Sequence, residues 1–185
     1  ESVFMDYMGP FRHCNGKRFV LNIIDRFSHL ICLEATADTT SETTTRLFYE
    51  NWICRFGVPK LITTDGGSSF AACFSELATR LQVSHHISAA HHPEGHGAIE
   101  RSNRDVEQVL RALFSRRSHW TDFVKPTEFI VNTSYSRVLG TTPFQVVHGF
   151  APRLPIHAAI DRGTNSDLDN EDDDEISIAE SMVSK

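Results

Sequence analysis

No apolar run in the sequence approaches the about 20 residues that a membrane-spanning helix needs, so no segment is expected to cross a bilayer. No secretory leader is visible either, although the chain opens at Glu1 rather than Met and so reads as a piece of a longer protein. Cysteine is sparse: Cys14, Cys32, Cys54 and Cys73 are widely separated, and no two form a C-x-x-C pair. That spacing excludes a disulfide framework or a zinc knuckle and leaves reduced core thiols of an intracellular protein as the expectation. There is no internal repeat. Positive charge is also short, with 18 Lys and Arg against 24 Asp and Glu, a formal net charge of −6.

The charge deficit is local. From Ala158 to Lys185 nine acids stand against Arg162 and Lys185, a balance of −7, whereas the other 157 residues hold 16 basic and 15 acidic side chains, a balance of +1. The run "DLDNEDDDE" is self-repelling and too polar to bury, so residues 158–185 are expected to form a disordered acidic tail behind a domain spanning 1–157. With 40% hydrophobic and 10% aromatic residues, that domain has an ample core.

What is present orders itself along the chain. "SVFMDYM" alternates as a strand, and "KRFVLNIIDRF" and "HLICLEA" read as two more, joined by a hairpin turn at Asp25-Arg26-Phe27-Ser28. From Thr40 to Phe56 an apolar stripe through Leu47, Phe48, Trp52, Ile53 and Phe56 predicts a helix, stopped by Gly57 and Pro59. A strand over Val58–Thr64, a helix over Phe70–Leu81 and a short strand "VSHHIS" follow. The Pro-, Gly- and His-rich "AAHHPEGHG" reads as a loop before a long helix from about Ala98 to Ser115. Helical stretches near Asp122–Ser136 and Pro143–His148 close the domain. Three strands followed by alternating helix and strand predict an α/β architecture, a mixed sheet with helices on both faces.

Three carboxylates stand at telling places in this order. Asp6 lies in the first strand, Asp65 at the tip of the fourth in "ITTDGGSSF", and Glu100 in the first turn of the long helix. Taken singly, an Asp before Gly is a turn residue or a helix cap. If the first and fourth strands are neighbours with the helix across them, however, the three converge. Clustered carboxylates repel unless a cation joins them, and Mg²⁺ is the ion that favours a few carboxylates completed by phosphate and water.

The motifs "FMDYMGPF", "IIDRFSHLICLEA", "FGVPKLITTDGGSSF", "HHPEGHGAIERSNRDVEQVLR" and "NTSYSRVLGTTPFQVVHGFAPRLP" occur in this order. Over Ser2 to about Pro155 the chain resembles the integrase core of gypsy-type retrotransposons and retroviruses. The resemblance implies a ribonuclease-H-like fold with a five-stranded sheet. It also implies a catalytic, metal-holding triad of Asp6, Asp65 and Glu100 that uses two Mg²⁺ or Mn²⁺ ions to nick DNA and join ends. Double-stranded DNA as partner, homo-oligomers and a nuclear location follow from the same resemblance.

Asn103, three residues after Glu100, matches the family's asparagine and is expected to support the site. Arg101, Arg104 and Arg111 line the long helix, either as a solvated face or as phosphate contacts. His85, His86, His91, His92 and His96 invite a zinc reading, but they lack a second matched pair or a cysteine partner, and resemblance to the family's "HHP" or "YHP" loop explains them better. Two departures stand out: Gly66 replaces the amide of the family's "TDNG", and Glu94 adds an acid to a loop expected to approach DNA. Gly66, His92 and Glu94 therefore join the candidate DNA contacts. The departures leave a second reading, a decayed or domesticated copy that binds nucleic acid or protein without catalysis.

Overall fold

The computed structural model describes residues 2–64, 79, 81–87, 93–114, 119–154 and 157, with backbone only over 93–98. The chain divides into two units, Glu1–Phe150 and Ala151–Lys185, and the fold below is that of the first. In the second, His157 N–H donates to the Leu154 carbonyl at 3.0 Å. The expected tail, 158–185, lies outside the described residues.

Strands β1 (Ser2–Met8), β2 (Phe19–Asp25), β3 (Ile31–Thr36), β4 (Leu61–Thr64) and β5 (Ser84–Ile87) form one sheet in the order β3-β2-β1-β4-β5. The first three pair antiparallel, while β4 runs parallel to β1 and β5 parallel to β4. Strand β4 starts later than expected because Pro59 has no N–H to give to a ladder. The β2–β3 turn runs on to Leu30, whose carbonyl accepts from Asp25 N–H at 2.9 Å, with Ser28 bonded to the Asp25 carboxylate and His29 at φ 57°.

Alternation along the strands divides the core. Val3, Met5, Leu21, Ile23 and Ile62 face one side with Leu47, Phe48 and Trp52. Phe4, Met8, Val20, Ile24, Ile31 and Leu33 face the other with Ile99, Val106, Leu110 and Val124. Helix α1 (Ser41–Phe48), capped by Thr40, covers the first side. The single helix expected over Thr40–Phe56 widens into a π-helical turn at Tyr49–Ile53, where the Asn51 side chain takes the Leu47 carbonyl at 3.0 Å. It ends at Gly57 with φ 87°, a conformation that favours glycine.

The opposite face carries α2 (Pro93–Leu113) and α3 (Val124–Thr133), the latter entered through a 3₁₀ turn at Trp120–Phe123. Helix α2 corrects the expected loop: it starts five residues before Ala98, so Glu94 falls in its first turn and Glu100 in a later one. Proline reads as a loop signal, yet at the first helical position its missing N–H costs nothing and its fixed φ suits the helix. Helix α4 (Pro143–His148) runs as expected, from Thr142 to Gly149. The helix expected over Phe70–Leu81 lies outside the described residues apart from Thr79 and Leu81. The cysteine expectation holds for Cys32 alone, since Cys14 is half-buried and Cys54 exposed; all three are free. Cys14 packs against the margin of the core from the β1–β2 connection, and Cys54 faces outward at the end of the π-helical turn. Cys73 is not among the described residues.

Candidate active site

The alternation that buries Phe4 and Met8 under α2 places Asp6 between them on the same face, half-buried. One carboxylate oxygen, Oδ1, accepts the Tyr7 backbone N–H at 2.8 Å. The other, Oδ2, accepts from Asn103 Nδ2 at 2.7 Å, so strand and helix meet at this carboxylate. The sequence reading expects Asn103 to support the site without naming its partner; the partner in the structure is Asp6.

Two further residues complete the arrangement. Asn22, opposite Asp6 in the β1–β2 ladder, is wholly buried and donates from Nδ2 to Asn103 Oδ1 at 2.8 Å and to Ser102 Oγ at 3.0 Å. Neither Asn22 nor Ser102 stands out in the sequence reading. The available signal is Asn22 itself, a lone amide inside the apolar run "FVLNIID".

Asp65 lies outside the described residues, but the route to it is visible. In the parallel β1–β4 ladder Phe4 pairs with Thr63 and Met5 with Thr64, so the residues just before Asp6 and Asp65 stand side by side. Thr64 is buried, and its hydroxyl is 2.9 Å from His85 Nε2. Burial, then the neighbouring His86, lower the His85 pKa, which keeps that ring neutral at pH 7. Glu100 is exposed on α2, next to the buried Ile99 and three residues before Asn103. Among the described residues no three His, Cys, Asp or Glu side chains assemble into a group able to hold a metal. The predicted triad supplies only carboxylate oxygens, a donor set suited to a hard divalent ion.

Arg101, Arg104 and Arg111 are exposed, and Arg111 pairs with Glu107 at 3.1 Å. Arg101 borders a groove of about 560 Å³ shared with His29, Asp105, Tyr135 and Arg137. Gly66, His91 and His92 lie outside the described residues, and the side chains of Glu94 and His96 are not described.

Comparison with known families decides the assignment. The model of the integrase core domain matches residues 1–93, half of the chain. The chain belongs to the integrase core domain family. The matched span contains Asp6 and Asp65 and stops before Glu100. This integrase core is 31% identical over 188 residues to the Pro-Pol polyprotein of simian foamy virus type 3, aligning over all of the chain and 16% of that polyprotein. It is 29% identical over 157 residues to the transposon Tf2-3 polyprotein of Schizosaccharomyces pombe, covering 83% of the chain and 12% of the polyprotein. It therefore spans a sixth or less of the length of these relatives.

Among solved structures, the HTLV-2 integrase catalytic core domain in complex with magnesium, in a trimeric form, superposes with a TM-score of 0.66 at 20% identity. That match covers 80% of this chain and 96% of the other. The BIV integrase catalytic core domain gives 0.65 at 19% identity, over 78% and 91%. The shared fold is the ribonuclease-H-like one, a mixed five-stranded sheet with helices on both faces. No helix among the described residues is long and apolar enough to cross a membrane.

Proposed function

We propose that this integrase core carries out the DNA-joining chemistry of a retroelement, with Asp6, Asp65 and Glu100 as its catalytic carboxylates. The observation that carries this reading is the meeting of β1, β4 and α2. Met5 pairs with Thr64, and Asn103, one turn from Glu100, hydrogen-bonds Asp6 at 2.7 Å. In this reading the three carboxylates hold two Mg²⁺ or Mn²⁺ ions. When bound, such ions activate an attacking oxygen and stabilise the leaving one in an in-line phosphoryl displacement. The chain's own part is to present oxygens from β1, from the residue that follows β4 and from α2, with Asn103 and the Tyr7 N–H fixing the Asp6 carboxylate. Water as attacking group trims a DNA end; a DNA 3′-hydroxyl joins that end to a target.

Double-stranded DNA is the proposed substrate, held in part by phosphate contacts from Arg101 and Arg104, which position DNA without reading sequence. Assembly of several copies and action in the nucleus belong to the same proposal. So does a domain boundary at about residue 157. The test is strand transfer on oligonucleotide ends with Mg²⁺ or Mn²⁺, comparing this chain with Asp65→Asn. Metal-dependent products that vanish in the variant are expected. DNA binding without products from either protein would favour the non-catalytic reading.

A further inference from the structure

We infer that Asn22 is a positioning residue: acting through Asn103, it sets the orientation of the Asp6 carboxylate. This rests on the proposed role of Asp6.

Asn22 is fully buried in a central strand, flanked by the buried Val20, Leu21, Ile23 and Ile24. An apolar side chain would suit that position, because a buried amide must find partners or lose stability. Its Nδ2 finds two, Asn103 Oδ1 at 2.8 Å and Ser102 Oγ at 3.0 Å. Its buried Oδ1 has no hydrogen-bond partner among the described residues.

That asymmetry follows from the Asp6 carboxyl, which accepts at both oxygens, from Tyr7 N–H and from Asn103 Nδ2. An ionised carboxylate only accepts, so Asn103 presents Nδ2 to it and turns Oδ1 inward. Asn22 must answer an acceptor with its own Nδ2, which points its carbonyl away from both partners. Flipping either amide would set oxygen against oxygen. One carboxylate thus dictates the orientation of two amides, and Ser102 anchors the inner one. Asn22 reaches Asp6 only through Asn103, which makes it a positioning residue and not a catalytic one.

The test compares Asn22→Leu with the unaltered chain, alone and in an Asn103→Ala background, with melting curves to show that each variant folds. In metal-free protein, NMR should show solvent exchange of the Asn103 side-chain amide accelerated about tenfold or more by Asn22→Leu. The Mg²⁺ concentration needed for strand transfer should rise about tenfold, the lower end of the usual effect of losing a partner behind a metal ligand. With Asn103 already alanine, Asn22→Leu should change the metal requirement no further. Should Asn22→Leu fail to fold, Ser102→Ala, which removes the second anchor, should accelerate the same amide exchange. Unchanged amide exchange, or an equal loss in both backgrounds, overturns the inference. If the unaltered chain transfers no strands, the proposed function falls, whereas the exchange measurement still decides the role of Asn22.

Discussion

Glu100 is exposed beside a buried isoleucine, so its carboxylate contributes little to packing. Glu100→Gln should abolish nicking and strand transfer while the melting temperature stays within about 2 °C. Mg²⁺ should raise the melting temperature of the unaltered chain and not that of the variant, because a ligand stabilises only the state that binds it. A large loss of stability in Glu100→Gln would count against its place in the site. The cysteines permit a second measurement. Burial, followed by the nearby Glu128, pushes the Cys32 thiol up to about 12, so it stays protonated where an exposed thiol ionises. At pH 8.5 a thiol reagent should therefore label Cys54 in the folded chain and leave Cys32 untouched. The pH dependence has a definite sign. With the folded pKa raised, the Cys32 contribution is fully present below the ordinary thiol value and is lost as pH rises from there towards about 12. Urea unfolding between pH 8 and 11 should show a decline that Cys32→Ala lessens.

Helix α3 closes the β3 edge of the sheet with side chains. Asn132 donates from Nδ2 to the Ile31 carbonyl and accepts the Ile31 N–H through Oδ1, both at 2.8 Å. Glu128 accepts the Leu33 N–H at 2.7 Å, and Lys125 donates to the Leu33 carbonyl at 2.7 Å. Residues 125, 128 and 132 lie on one helix face and stand in for a sixth strand along Ile31 and Leu33, which blunts this edge of the sheet. Burial lowers the Lys125 pKa, but hydrogen bonds and charge from Glu34 and Glu128 outweigh it, so the net shift is upward and the ammonium is kept. Asn132→Ala should cost about 2–3 kcal/mol in urea unfolding, since it orphans two backbone groups at a buried position. A loss below about 0.5 kcal/mol would show that water replaces the amide. This pairing is not legible in "KPTEFIVNT", which reads only as an amphipathic helix. The start of α2 escapes the sequence reading for the opposite reason: Pro93, Gly95 and Gly97 signal a loop, and a helix forms through them.

For the whole molecule, charge separates what length and composition run together. The acidic segment 158–185 carries −7 against +1 for the rest, and a segment of that charge is expected to compete with phosphate for basic side chains. Deleting 158–185 should leave the melting transition unchanged and strengthen salt-sensitive binding to random-sequence DNA, as read by fluorescence anisotropy. Equal affinity with and without the segment, across a salt series, would rule out that competition. At this scale the order of the described strands and helices is readable in the sequence, because alternation, caps and glycine stops are local properties of the chain; the three carboxylates are readable there only as candidates. β1 and α4 keep the bounds read from sequence. Which polar atoms meet is another matter. The Asn103–Asp6 bond joins residues 97 positions apart, and the Ser102–Asn22 bond residues 80 apart. Each requires strand order, register and the rotation of α2 to agree at once. Motif spacing marks Asp6 and Asn103 without showing that they touch, and nothing local marks Asn22 as their partner. Those contacts exist only once the sheet and the helix have packed.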